Sequence, residues 1–282
     1  MYLVSGLKRV FIIGLLLLST FNSHANLRII YTFEGKKFES LIDKFSQHEN
    51  IPIESKWYHQ GDLRVELLEL IEKGQAPHAV IIPADHVGLH DWVNYSDISP
   101  DLQSDKISHT VWQNNTSDGR IYGVPIIQGN HLVLYYNKSL VNNPLGSWDE
   151  LKPIASQSKS NLDKHNAKLM AWPVHEPYWL IPFLSAFGGW PIENDKITLD
   201  NESMILALEF VKQLVDQEFV EKDCNYDCAY QLFSDGKLAY NINGDWAYTG
   251  YKKKLGSNLG VAVLPRLGDS RKLMSMYSTH NL

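Results

Sequence analysis

The sequence is short of cysteine: among 282 residues only Cys224 and Cys228 occur. That rules out a disulfide framework and leaves no second Cys/His pair at zinc-ligand spacing. It also lacks a long apolar run. The longest, Val10 to Leu18, is too short to span a bilayer, and nothing comparable follows it. Positive charge is not in excess, since 26 Lys and Arg face 32 Asp and Glu for a net charge of −6, so there is no electrostatic reason to expect nucleic acid as a partner. No G-x-S-x-G, P-loop or H-E-x-x-H pattern occurs, and no cofactor is expected. His86 and His90 lie four apart but have no evident third ligand, so a metal is not expected either. Internal repeats and low-complexity tracts are absent as well. What remains, 44% hydrophobic residues with 8 Trp, describes a folded globule.

The first residues read as an export signal. Lys8 and Arg9 precede the apolar Val10 to Leu18, and Ser23-His24-Ala25 places small residues for cleavage after Ala25. No Cys follows the apolar core, so no lipid anchor is expected. Removing 25 of the 282 residues leaves a mature chain of 257, long enough for two lobes. In an oxidising compartment Cys224 and Cys228 favour a local disulfide. An intact helix would hold the two thiols too far apart for easy bridging, so a turn is expected there.

Strand and helix signals alternate through the first part of the chain. Leu27 to Tyr31 reads as a strand, and Phe38, Leu41, Ile42 and Phe45 recur at helical spacing. Ile51 to Trp57 is a second strand, Leu63 to Glu72 a helix, and His78 to Ile82 a third strand. That order predicts an α/β lobe with a largely parallel sheet. Further on, Gly119 to Pro125 turns into a strand, Leu132 to Lys138 is another, and Ser147 opens a helix. Met204 to Val215 is an amphipathic helix with Ile205, Leu208, Val211 and Leu214 on one face. A helix ends at Phe233, and the strand Leu238 to Ile242 stops at Asn243-Gly244, leading into a helix start at Asp245-Trp246.

Two short stretches carry chemistry. His175-Glu176-Pro177-Tyr178-Trp179 sets a carboxylate beside a fixed turn and two rings, and Asn243-Gly244-Asp245-Trp246 offers another ring past a strand end. A carboxylate accepts hydrogen bonds from sugar hydroxyls, and an aromatic face covers the apolar CH side of a sugar ring. Trp179 reads as core, because an extended segment would point it away from Tyr178. Asp245 reads as a helix N-cap partner or a complement to the helix dipole. Glu176 paired with Glu34 or Asp85 would also suit a glycosidase, which needs two carboxyls at a defined separation about one bond.

Gly119-Arg120-Ile121-Tyr122-Gly123-Val124-Pro125, Tyr135-Tyr136-Asn137-Lys138 and Ser147-Trp148-Asp149-Glu150-Leu151, in this order, resemble family 1 extracellular solute-binding proteins of ABC importers, the maltose/maltodextrin branch especially. Glu176-Pro177-Tyr178 with Gly188-Gly189, Phe233 to Trp246, and Gly260 to Pro265 continue the likeness, which runs from about Leu27 to the end. The resemblance implies a two-lobed α/β periplasmic-binding fold with crossover hinge strands and a carbohydrate cleft between the lobes. It implies a signal peptide at 1–25, lobe 1 at 26–128, lobe 2 at 129–270, and a second crossover at 271–282. Relatives continue well beyond Leu282, so the C-terminal part of that fold is expected to be missing. The implied role is a monomeric periplasmic protein that hands a sugar to an inner-membrane ABC permease and is not an enzyme. An exported glycoside hydrolase, a solute sensor and a nonfunctional fragment are the alternatives.

By the same resemblance, Glu176, Tyr178 and Trp246 carry over as ligand contacts, and Asp85 matches an acidic cleft residue after the third strand. Glu34 and Lys36 match an acid–lysine pair only loosely, and Gln128 and Asn130 stand where an acid is expected. The Arg expected after Asp85 is His86. Most departures fall in the first lobe, which puts maltose itself in doubt.

Overall fold

A computed structural model describes residues 26–32, 36–59, 62–193, 196–268 and 278–281. The expected signal peptide and Glu34 lie outside the described residues, as does the side chain of Lys36. The chain divides into two compact units. Unit 1 runs to Ile127 and regains His280–Leu282, and unit 2 is Gln128–Thr279.

Unit 1 begins with the expected alternation: β1 (Leu27–Tyr31), α1 (Lys36–Glu49), β2 (Ile53–Trp57), α2 (Leu63–Glu72) and β3 (Ala79–Pro83). Strand β1 lies between β2 and β3 and is parallel to both, with Ile29 beside Ser55 and Ala79. A parallel central strand is buried on both faces. Ile29 and Tyr31 accordingly join Ile42 and Ile81 on one side, while Ile30 joins Leu63, Leu67 and Ile82 on the other. Helix α1 uses only part of its expected stripe, since Ile42 is buried while Leu41 and Phe45 are exposed. After β3 come a 3-10 turn at Ala84–Leu89, α3 (His90–Val93), α4 (His109–Gln113), a hairpin of β4 (Thr116–Ser117) and β5 (Arg120–Ile121), and β6 (Pro125–Gly129). The strand Ser278–Asn281 returns antiparallel to β3, giving the sheet order β2, β1, β3, Ser278–Asn281, β6.

Unit 2 contains β7 (Leu132–Asn137), α5 (Leu151–His165), β8 (Lys168–Ala171), α6 (Pro177–Ala186), a hairpin of β9 (Ile192–Glu193) and β10 (Lys196–Ile197), α7 (Glu202–Asp216), α8 (Tyr226–Ser234), β11 (Leu238–Gly244), α9 (Tyr248–Leu255) and β12 (Leu259–Ala262). Its four-stranded sheet has the order β12, β7, β11, β8. It is mixed: β7 is antiparallel to β11 and β12, and β8 is parallel to β11. Helices pack around it on a large aromatic core in which Phe183 lies 5.6 Å from both Trp148 and Trp172 and 5.9 Å from Phe210, between ring centroids.

Three local outcomes differ from or refine the sequence reading. Helix α7 is apolar on more than one face, so its buried stripe is ambiguous in the sequence. The core takes Ala207 and Leu214 with Met204, Phe210, Val211 and Val215, leaving Ile205 and Leu208 exposed. The segment after Glu176 is not an extended turn but helix α6, with Pro177 at its first position, where the missing N–H costs nothing. Trp179 is therefore buried by helical geometry and not by strand alternation. Cys224 and Cys228 are bonded at a Cα separation of 5.2 Å. Cys224 lies just outside α8, whose N-cap Asn225 accepts a hydrogen bond from the Cys228 N–H at 3.0 Å, so the expected turn is there.

Candidate functional site

The site is built at the end of β11 in unit 2. All seven residues of this strand are buried, including Asn241 and Asn243, and buried amides must find partners. The Asn241 side chain donates to the Ala171 carbonyl at 2.8 Å, and the Tyr251 hydroxyl donates to Asn241 Oδ1 at 2.9 Å. Asn243 Nδ2 donates to the same Tyr251 hydroxyl at 2.8 Å, and Asn243 Oδ1 accepts the Gly244 N–H at 2.8 Å. The Tyr135 hydroxyl donates to the Gly244 carbonyl at 2.9 Å. Burial pushes the Tyr135 and Tyr251 hydroxyls up, so both remain protonated donors. Gly244 is thus fixed through both its N–H and its C=O.

That anchoring sets Trp246. Its indole folds back over Gly244 so closely that a Cβ there would lie 2.0 Å from the ring, so no other residue fits beneath it. The indole N–H donates to the Tyr226 hydroxyl at 3.0 Å. The Trp246 ring lies 6.3 Å from Tyr178 and 6.3 Å from Trp179, and it stays 41% exposed. Trp179 in turn stacks on Tyr226 at 6.3 Å, and Tyr226 on Tyr230 at 6.1 Å.

Glu176 occupies the N-cap position of α6 without capping it. Its carboxylate instead accepts the Trp179 indole N–H at 3.1 Å and stays exposed. Half-buried Tyr178 donates its hydroxyl to the Asn130 carbonyl at 3.3 Å. Glu176, Tyr178, Asn130 and Trp246 therefore meet on one face of unit 2: one exposed acid, two partly open rings and a turn of backbone. Such a surface suits a solute with hydroxyls on its edges and CH groups on its faces.

The other expected residues stand elsewhere. Gln128 is exposed on β6, and Asp85 is exposed in the 3-10 turn after β3 in unit 1, where the N-cap is Pro83 and no side chain caps the turn. His86 is largely buried, while His90 stacks on Tyr122 at 4.5 Å between Asp91 and Asp118. Sequence reasoning passed over Tyr226 and treated Trp179 only as core. The spacing of Tyr226 and Tyr230, one helical turn apart and just after Cys224, was the signal available for the first.

A profile for bacterial extracellular solute-binding proteins matches residues 40–279. The chain belongs to that family. Its α/β architecture is that of the two-lobed periplasmic-binding fold: the maltose/maltodextrin-binding domain MalE from Bdellovibrio bacteriovorus, bound to maltotriose, superposes with a TM-score of 0.77 at 24% identity, over 91% of this chain and 70% of that one. Maltodextrin-binding protein MdxE of Bacillus subtilis is 25% identical over 262 residues, covering 83% of this chain and 61% of the relative. A maltooligosaccharide ABC transporter solute-binding lipoprotein of Streptococcus pneumoniae is 23% identical, over 86% of this chain and 60% of its own. The chain thus spans about three fifths of the length of these relatives. The matching profile and the relatives are named for solute binding and none for catalysis, so the glycosidase alternative draws no support from them. Among the described residues no helix is long and apolar enough to cross a membrane.

Proposed function

We propose that this chain is the exported, periplasmic substrate-binding component of an ABC importer and that it captures a carbohydrate, an oligosaccharide of the maltodextrin class or a related polyol. The observation that carries the reading is the convergence of Glu176, Tyr178 and Trp246 on one face of unit 2, with Tyr178 and Trp246 6.3 Å apart and the Glu176 carboxylate oriented by Trp179. Glu176 accepts sugar hydroxyls, and the two rings cover ring faces. The relatives named for maltodextrin and for an ABC transporter supply the solute class and the permease. Capture at micromolar Kd requires about 8 kcal/mol, within reach of two ring contacts and several charge-assisted hydrogen bonds after ordering costs.

Isothermal titration of the secreted protein with maltose, maltotriose and longer maltodextrins tests this. Saturable binding without release of reducing sugar is expected. Trp246→Ala should weaken it by about 30-fold, as for other central aromatic anchors, and Glu176→Gln by about tenfold. A cooperatively folded protein that binds none of these saccharides rejects the reading.

A further inference from the structure

Asn130 sits in the left-handed region at φ 60, a conformation that a side chain makes costly and that its surroundings must hold in place. Asp245 supplies the hold from across the sheet. Its Oδ1 accepts the Asn130 N–H at 3.2 Å, and its Oδ2 accepts the His131 N–H at 3.3 Å. The same Oδ2 lies 3.1 Å from His131 Nδ1. The Asp245 N–H donates to the His131 carbonyl at 2.9 Å, one step beyond the Gly244–Leu132 register. The carboxylate fits tightly: a Cβ on Gly129 would come within 3.3 Å of Oδ2. Asp245 stands in the first turn of the 3-10 segment Asp245–Ala247, where its charge suits the helix dipole, but its hydrogen-bond donors all belong to the turn between β6 and β7. The turn so held is the one whose Asn130 carbonyl receives the Tyr178 hydroxyl.

We propose that Asp245 is a positioning residue for the ligand platform: through the Asn130–His131 turn it sets the place of the Tyr178 ring beside Trp246. This rests on the reading of Tyr178 and Trp246 as the carbohydrate-facing rings. Asp245 itself touches no ligand in this scheme. It fixes the backbone acceptor that fixes Tyr178, while its chain neighbour Trp246 is fixed through Gly244. One acid thereby ties the geometry of one ring to that of the other.

The test uses the full mature protein, with maltotriose as the probe. Asp245→Ala should weaken maltotriose binding about tenfold, the loss of a charge-assisted bond, with the fold retained. Tyr178→Phe should weaken it less, and the double variant should be no worse than Asp245→Ala alone, because the hydroxyl is the link through which Asp245 acts. Asp245→Asn, which keeps one acceptor oxygen, should recover part of the loss. Without ligand, Asp245→Ala should remove hydrogen-exchange protection from the Asn130 and His131 amides and shift the Tyr178 ring resonances, while Trp246→Ala should leave that protection intact. Additive losses in the double variant, or unmoved Tyr178 resonances in Asp245→Ala, overturn the proposal. Wild-type protein that binds no saccharide rejects the functional reading instead, and the ligand-free resonances still decide the positioning role.

Discussion

In unit 2, Glu176, Tyr178, Asn130 and Trp246 come from three separate stretches of chain and meet on one aromatic and hydrogen-bonded frame. In unit 1, Asp85 is exposed on a short 3-10 turn whose Ala84 and Val87 are buried, and among the described residues no side chain caps that turn with a hydrogen bond. The difference follows from what each unit buries. Unit 2 packs Trp148, Trp172, Phe183 and Tyr240 into one large cluster and Tyr135, Phe233 and Tyr251 into a second, and β11 carries two buried asparagines hydrogen-bonded at both the amide oxygen and the amide nitrogen. Unit 1 spreads its core over two small clusters on either face of its sheet, neither of which contains a buried Trp or Phe among the described residues. A platform of rings needs packed and hydrogen-bonded support, and among the described residues unit 2 provides it around Tyr178 and Trp246.

The largest expected effect tests that support. Phe183 is fully buried against three other rings, so Phe183→Ala should cost about 3–5 kcal/mol. Leu67→Ala in the smaller cluster of unit 1 should cost about 2–4 kcal/mol, since a sparser site collapses more easily around the gap. Urea denaturation with unchanged m-values gives both numbers. If Leu67→Ala proves the more damaging, the contrast between a rigid and a loosely packed unit is lost.

Much of the fold could be read from the sequence where period and burial agree. Leu27–Tyr31, Leu63–Glu72 and the Leu132–Asn137 strand have unambiguous patterns and formed within a residue or so of expectation. Pattern failed where a segment is apolar in every direction. Pro177-Tyr178-Trp179-Leu180-Ile181 offers no period to separate helix from strand, so α6 was missed, although Pro177 is a legitimate helix start. In α7 the same ambiguity rotated the buried face by a residue. For the candidate site, residue chemistry together with the family resemblance pointed to Glu176, Tyr178 and Trp246, and the structure brings the rings of Tyr178 and Trp246 within 6.3 Å of each other. The role of Asp245 was not legible, because its partners Asn130 and His131 lie more than a hundred positions away and no local rule pairs them.

A smaller effect tests the edge of the platform. The Cys224–Cys228 bond closes a very short loop at the start of α8, and that loop contains Tyr226, whose hydroxyl accepts the Trp246 indole N–H. Loop-entropy arguments give about 2 kcal/mol for such a crosslink. Reduction should therefore lower the melting temperature by several degrees and alter Trp246 fluorescence through Tyr226. A lower melting temperature with unaltered fluorescence would mean that the disulfide holds the helix but not the platform.

The smallest effect belongs to unit 1 and is a matter of pH. Burial lowers the pKa of His86 below its ordinary 6.5; the Arg64 charge acts in the same direction, while Asp85 opposes both. Its buried Nδ1 has no hydrogen-bond partner among the described residues. In the unfolded chain His86 takes up a proton near pH 6.5, whereas in the folded chain it does so only at lower pH. Between those two values the unfolded state binds more protons, so stability falls as pH drops through 6.5 and levels off once the folded form is also protonated. His86→Gln should flatten that slope while leaving stability at pH 8 nearly unchanged. An unaltered slope in the variant would place the acid sensitivity elsewhere than at His86.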